Sequence, residues 1–264
     1  MLCSSIFTCR ACFSYIIYMD SKIKSILEEY AQRYETSDFL HDDPSRFMHQ
    51  VEGRQNKEVA AFVASCLSYG SRKQFMPKIQ ALLDYADNDM YNWIKQDYYK
   101  DSFKEDDKSC FYRLYNFSIM YKLFESLHNL LIEYESIGNF VKRNSSDGLS
   151  AIKAITSYSA KTGIETIIPK NTTSACKRVC MFLRWMVRDN SPVDIGLWSD
   201  FIDKRTLIVP LDTHVLQEAN KLHLINNKTA SMSVAIKLTG KLRDIFPDDP
   251  LKGDFALFGY GVNQ

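Results

Sequence analysis

Apolar residues recur at the spacing of an α-helix along most of this chain. In the segment 58–67, for example, Val59, Phe62, Val63 and Cys66 fall on one side of a helical wheel. The β-branched segment 207–209 is too short to define a sheet. The pattern therefore predicts an all-α fold, with one or two long helices across 111–135 and further helices over 20–34, 74–85, 149–158, 175–188, 213–222, 229–245 and 251–260.

The pattern also predicts how these helices group. The segment 254–258 looks buried, yet it has no partner once the central helices have packed together. We therefore expect two helical lobes with a central cleft, one formed by 55–209 and the other by 19–54 plus 210–264. The polar segment 39–55 is expected to be a loop, and Leu114 a core residue of the long helix.

The first eighteen residues differ from the remainder, since they are apolar, rich in cysteine and carry only the charge of Arg10. A signal peptide is one interpretation, although Thr8, Cys9 and Arg10 interrupt its apolar core. The other is an extension that contributes nothing to the fold, with Met19 as the true start. The scattered cysteines favour the second, because an odd and dispersed set indicates reduced thiols and a cytoplasmic protein.

The nearly neutral composition limits how this protein could bind nucleic acid. Lysine and arginine total 33 and aspartate and glutamate total 32, so any contact with nucleic acid must use a local basic patch. Such a patch lies between Lys170 and Arg188, where five basic residues and no acidic residue occur. The cysteine pairs are too isolated for a zinc site, and no run of about 20 apolar residues indicates a membrane span.

The helix predicted over 175–188 separates two faces. One face is apolar, and the other carries Lys177, Met181, Arg184 and Arg188. Downstream, the sequence Pro-Leu-Asp-Thr-His at 210–214 begins the next predicted helix, so that Asp212 follows Lys177 by 35 residues.

These phrases resemble a known superfamily. Lys-Arg-x-x-x-Phe-Leu-Arg-Trp-Met-Val-Arg from Lys177, Pro-Leu-Asp-Thr-His and Asp-Phe-Ala-Leu-Phe-Gly at 254–259 are similar to an uncharacterised bacterial domain family within the helix-hairpin-helix DNA glycosylase superfamily. The separation of lysine and aspartate is closer to the archaeal 8-oxoguanine glycosylase branch than to the endonuclease III branch. The resemblance covers the chain from about residue 20 to its end and implies a glycosylase-like fold.

The resemblance also implies a chemistry. Lys177 would attack C1′ of a damaged nucleotide, and Asp212 would take the proton and stabilise positive charge on the sugar. His214 would orient Asp212 or contact a phosphate. From the residues alone, Asp212 is equally an ordinary helix N-cap, Lys177 a solvated surface residue and His214 a buried, hydrogen-bonded histidine. No cofactor is expected, and no iron–sulfur cluster, because no cysteine follows Cys180.

Double-stranded DNA is the implied partner of a monomeric protein. Glycines that precede the lysine in better-known relatives are replaced here by Thr173 and Ala175, so hydroxyl groups would have to contact the phosphate instead. Two functions remain open, namely base excision, with or without lyase activity, and a non-catalytic DNA-binding or scaffold role. The expected DNA contacts are Thr173, Ser174, Arg178, Arg184 and Arg188, together with Arg72 and Gln74.

Overall fold

The computed structural model describes residues 10–262, which are mostly helical, and the all-α prediction is confirmed. Two short 3-10 helices, Ser37–Asp42 and Lys204–Thr206, interrupt the connections. The α-helices are α1 Arg10–Tyr34, α2 Arg46–His49, α3 Arg54–Leu67, α4 Arg72–Tyr85, α5 Met90–Lys95, α6 Tyr99–Ser102, α7 Phe117–Tyr134, α8 Ile137–Asn144, α9 Gly148–Thr162, α10 Lys177–Val187, α11 Thr213–Lys221, α12 Met232–Ile245 and α13 Lys252–Val262.

A short β-hairpin corrects the prediction of helix from residue 111. Strands β1 (Cys110–Tyr112) and β2 (Tyr115–Asn116) pair antiparallel around a two-residue turn, in which Arg113 adopts a φ of 52°. Leu114 lies at the tip and is 73% exposed, so the prediction that it belongs to the core is wrong. Helix α7 begins only at residue 117, because the Asn116 side chain accepts a hydrogen bond from the Ile119 N–H and caps the helix there.

The first and last described helices pack together. Helix α1 runs along α13, and α11 also contacts α13. Tyr34 meets Phe258 edge to face at 5.9 Å, and Phe39 meets Phe255 at 5.1 Å.

Of the predicted extension 1–18, residues 1–9 lie outside the described residues, and α1 begins at Arg10. Part of the segment 39–55, predicted as a loop, is helical as well.

Helix α3 lies at the centre of the core and contacts α2, α4, α5, α8 and α10. Phe62 of α3 packs edge to face on Phe182 of α10, with ring centroids 5.1 Å apart, and Phe182 packs on Trp198 at 5.2 Å. The buried carboxylate of Glu58 accepts hydrogen bonds from Trp198 Nε1 and the Gly138 N–H, both at 2.9 Å. These contacts hold α10, and with it the basic segment, against the middle of the protein.

Candidate functional site

A cleft of about 660 Å³ opens where four segments meet. The turn after α3 and the start of α4 form one wall, while the segment before α10 and the start of α11 form the other. Its lining mixes aromatic, charged and small residues: Asp43, Pro44, Ser68, Tyr69, Gly70, Arg72, Phe75, Pro169, Ser174, Ala175, Cys176, Lys177, Arg178, Met181, Asp212, Thr213 and Ala230.

Lys177 and Asp212 meet in this cleft. Lys177 Nζ donates a hydrogen bond to Asp212 Oδ2 at 2.7 Å, although 35 residues separate the two in sequence. The Lys177 side chain is 40% exposed and that of Asp212 is 30% exposed, so both remain open to the cleft. Each residue lies at the start of a helix, α10 for the lysine and α11 for the aspartate. The arrangement fixes a cation and a carboxylate side by side at a concave surface.

The two oxygens of Asp212 make different contacts. Oδ1 accepts a hydrogen bond from the Val215 N–H at 2.8 Å and caps α11, which leaves Oδ2 for Lys177. Burial by itself raises the pKa of Asp212, but the charge and hydrogen bond of Lys177, with the backbone N–H groups of Val215 and His214, bring that pKa below its ordinary value. The N-cap therefore orients the carboxylate towards the lysine.

The backbone is strained immediately before Lys177. Cys176 has a φ of 47° and a ψ of 37°, the left-handed conformation that glycine adopts readily and other residues adopt at a cost of about 1–3 kcal/mol. The Thr173 N–H donates to Asn171 Oδ1 at 3.0 Å, which closes the preceding turn. The Cys176 thiol is buried, and burial raises its pKa. This turn makes α10 begin at Lys177 rather than at the predicted residue 175.

Arg184 and Arg188 correct the prediction of an exposed basic face. Arg184 is 5% exposed and Arg188 is 0% exposed, so neither reaches a DNA phosphate. Arg184 Nε donates to Asp194 Oδ1 at 3.2 Å, and its Nη1 pairs with Asp254. Met181, which was placed on the same face, is buried too. The helical wheel separated polar from apolar residues correctly, but the polar side of α10 faces carboxylates from other segments instead of solvent.

The remaining predicted DNA contacts divide into two groups. Arg178 is held inside the protein, because its Nη1 donates to the Cys66 carbonyl at 2.8 Å and to the Tyr115 hydroxyl. Thr173, Ser174, Arg72 and Gln74 are exposed, and Ser174 and Arg72 line the cleft. Arg72 also lies over the ring of Phe258 at 5.6 Å, which links α4 to α13. Four of the predicted contacts are thus accessible to a partner, and three are committed to the fold or partly buried.

His214 is exposed, so the prediction of a buried histidine at this position is wrong. Its side chain lines a second cavity rather than the larger cleft. Only the backbone N–H of His214 acts on Asp212, as one of the groups that lower its pKa.

The second cavity, of about 150 Å³, lies beside the cleft. The two share Asp43, Arg72, Lys177, Met181 and Asp212, so they meet at the lysine–aspartate pair. Sequence reasoning missed several residues of the cleft and of this cavity. Glu218 had a readable signal, because it is acidic yet lies three residues after Val215 and four before Leu222, in the apolar stripe of α11 and its C-cap. Asp43, Tyr69 and Cys176 gave no comparable pattern.

Within residues 10–262, no cluster of three or more histidine, cysteine, aspartate or glutamate side chains is arranged to hold a metal ion. Over the same described part of the chain, every helix falls short of the length and hydropathy that a membrane span requires.

Comparison with known proteins identifies a family but no described activity. No curated protein and no solved structure matches this chain. Residues 43–263 match the family described as "protein of unknown function (DUF2400)", a range that includes the cleft, the lysine–aspartate pair and α13. Because that match spans most of the sequence, the chain belongs to the DUF2400 family.

Proposed function

We propose that this protein is a base-excision DNA glycosylase, with Lys177 and Asp212 as its reacting pair. The observation that carries the proposal is the 2.7 Å contact between Lys177 Nζ and Asp212 Oδ2 inside the cleft. Supporting it is the resemblance of the sequence around both residues to the helix-hairpin-helix glycosylase superfamily, nearest its archaeal 8-oxoguanine branch. Rigid helix starts present both groups, as chemistry that depends on position requires.

The chemistry follows from these two groups. DNA that covers the cleft removes water from the ion pair, which favours transfer of an ammonium proton from Lys177 to Asp212 Oδ2. The neutral amine then forms a bond to C1′ as the bond between C1′ and the base breaks, and the base leaves with the bonding electrons. As it leaves, the base takes the proton from Asp212, which restores the carboxylate. Opening of the C1′–O4′ bond, with a proton passing from nitrogen to O4′, gives an imine. The carboxylate stabilises the positive charge that develops on the sugar.

The surroundings of the cleft fit an anionic backbone only in part. Arg72 and Ser174 line the cleft with the reacting pair, and Gln74 and Thr173 are exposed near them in sequence. Together they supply one guanidinium, two hydroxyls and an amide. Arg184 and Arg188 make no contribution, because both are neutralised by internal carboxylates. The expected DNA contact is therefore a small patch at the mouth of the cleft and not a basic helix face.

Borohydride trapping tests the proposal directly. Wild-type protein, incubated with duplexes that each carry one damaged base, should form a covalent protein–DNA adduct when borohydride reduces the imine. Lys177→Ala should abolish the adduct, whereas Lys170→Ala, which removes an exposed lysine of the preceding loop, should leave it unchanged. Asp212→Asn should slow base release while largely preserving DNA binding.

Two other outcomes separate the alternatives. Base release that persists in Lys177→Ala would mean that water attacks C1′ and only Asp212 is required. Duplex binding without release of any base by the wild-type protein would contradict the proposal and favour a non-catalytic DNA-binding or scaffold protein.

A further inference from the structure

Glu218 is a buried carboxylate whose two oxygens differ in their contacts. Its Oε1 accepts a hydrogen bond from Lys221 Nζ at 2.9 Å. Its Oε2 is buried and has no hydrogen-bond partner among the residues that the structure describes. The residue is 3% exposed and lines the cavity of about 150 Å³ beside Lys177 and Asp212. Because buried polar atoms are nearly always paired in folded proteins, an unpaired carboxylate oxygen beside a cavity indicates a ligand.

The other carboxylates of this cavity are already engaged. Asp254 pairs with Arg184, Asp43 Oδ1 accepts from both the N–H and the hydroxyl of Ser45, and Asp212 pairs with Lys177. Glu218 therefore differs from each of them in having a buried oxygen without a partner.

The position of Glu218 fits a nucleobase. It follows Asp212 by six residues on α11, which corresponds to about 9 Å along the helix axis at the usual rise per residue. That length is close to the span of a nucleobase plus one hydrogen bond. A base whose sugar lies at the Lys177–Asp212 pair would thus present its far edge to Glu218.

We propose that this cavity receives the extruded base and that Glu218 selects bases carrying an exocyclic amino group. This inference rests on the proposed function. An ionised carboxylate only accepts hydrogen bonds, so it favours an amino group, which only donates. In a base whose amino group deamination has replaced by a carbonyl, that carbonyl presents lone pairs to Glu218 and is repelled, although the ring nitrogen beside it gains a hydrogen. The substrate class is therefore an oxidised or alkylated amino-bearing base, and not a deamination product.

Matched pairs of bases test the selection. Duplexes with an uncleavable 2′-fluoro nucleotide would carry 5-hydroxycytosine or 5-hydroxyuracil in one set, and adenine or hypoxanthine in another. The members of each set differ in the amino group and in the hydrogen on the ring nitrogen beside it. Wild-type protein should bind the amino member about tenfold more tightly, the ratio expected when one hydrogen bond to a charged group is replaced by repulsion. Glu218→Gln should lose most of that preference, because an amide both donates and accepts.

Two control variants are Lys221→Gln, next to Glu218, and Glu218→Asp, which replaces one carboxylate by another. Lys221→Gln removes the partner of Oε1 and keeps the carboxylate, so it should retain the preference. Glu218→Asp, which also keeps a carboxylate, should retain it in part, and thermal unfolding shows which variants are folded. Equal binding of both members by the wild type, tighter binding of the carbonyl member, or an unchanged preference in Glu218→Gln overturns the proposal.

Free bases separate this inference from the proposed function. If the wild-type protein binds no duplex, the glycosylase proposal fails, and titration of the full-length protein with free cytosine and free uracil decides the role of Glu218. Stronger binding of cytosine that disappears in Glu218→Gln upholds the selection. No difference between the two bases rejects it.

Discussion

Arg188, the residue that follows α10, forms a bidentate ion pair with Asp249, which lies 61 residues later in the turn before α13. Nε donates to Oδ1 at 2.9 Å, and Nη2 donates to Oδ2 at 2.8 Å. Nη2 also donates to Glu35 Oε1 at 2.7 Å, and Nη1 pairs with Asp194. One buried cation thus ties together the end of α1, the turn after α10 and the segment before α13. Such a group stabilises the fold only while all its partners are present.

Removal of this cation should strongly destabilise the protein. Arg188→Met is expected to lower the free energy of unfolding by about 3–5 kcal/mol, because it leaves buried carboxylates without a counter-charge. Arg205→Met is the matched control, since Arg205 pairs with Asp203 on the surface with a side chain that is 61% exposed, and it should change stability little. Urea denaturation of both variants measures the difference. Equal stability of the two would show that the buried network is dispensable.

This network is a part of the structure that could not be predicted from the sequence. Periodicity located the helices and placed Val179, Phe182, Leu183 and Met186 of α10 in the core, as the structure has them. It could not show that Arg184 and Arg188 are internal, because three of their four acidic partners, Asp254, Asp249 and Glu35, belong to segments far along the chain. Periodicity did not predict the Lys177–Asp212 contact either; the resemblance did. The unpaired oxygen of Glu218 depends on packing, which no local pattern describes.

A second prediction concerns the buried carboxyl of Glu58. Burial raises its pKa above the ordinary value of 4.5, against the opposing hydrogen bonds from Trp198 and Gly138 and the charge of Arg54. Because the folded protein holds the Glu58 proton more tightly than the unfolded chain does, the protonated carboxyl contributes its full stabilisation below pH 4.5. This contribution is lost as pH rises through the folded-state pKa. The stability of the wild type relative to Glu58→Gln should therefore fall with rising pH, by at most about 1.4 kcal/mol per pH unit.

Asp107 provides a control of opposite sign. Hydrogen bonds from the Ser109 hydroxyl and N–H lower the pKa of Asp107, so its stabilisation is lost as pH falls. The stability of the wild type relative to Asp107→Asn should rise with pH over the acidic range. Urea denaturation at a series of pH values measures both differences, and slopes of the same sign for the two variants would contradict the assignments.

The turn before Lys177 gives a third prediction. At an ordinary helical position glycine is about 1 kcal/mol less stable than alanine. At Cys176, with its φ of 47°, the order should reverse, and Cys176→Gly should be more stable than Cys176→Ala by about 1 kcal/mol. Ser157, exposed in the middle of α9, serves as the control site, where alanine should be the more stable. Thermal or urea unfolding of the four variants checks the reversal, and alanine more stable at both sites would exclude strain at Cys176.

DNA binding should depend on Arg72 and not on the buried arginines of α10. Arg72→Glu is expected to weaken binding to duplex DNA and to reduce the dependence of log K on log salt by about 0.9 for each phosphate that the variant no longer neutralises. Lys237→Glu, an exposed charge reversal on α12 away from both cavities, should have a smaller effect. Fluorescence anisotropy over a range of salt concentrations distinguishes the two variants. An equal weakening in both would indicate general charge attraction with no defined site.

The last prediction concerns the electrostatics of the Lys177–Asp212 pair. Two opposing influences act on Asp212: burial, which raises its pKa, and the larger combined effect of Lys177 and the backbone N–H groups, which lowers it. Lys177→Met removes the cation and its hydrogen bond but leaves the burial. The pKa of Asp212 should then rise, because burial remains and only the backbone N–H groups of Val215 and His214 still oppose it.

Asp189 is the control for this shift. A hydrogen bond from Lys204 is the main cause of its lowered pKa, and the Asp189 side chain is 43% exposed. Lys204→Met should therefore return the pKa of Asp189 towards its ordinary value. Carbon-detected NMR titration of the aspartate carboxyls, assigned with Asp212→Asn and Asp189→Asn, measures both shifts. A pKa of Asp212 that stays low in Lys177→Met would mean that the helix N-terminus alone holds the carboxylate in its charged form, and that Lys177 does not control its protonation.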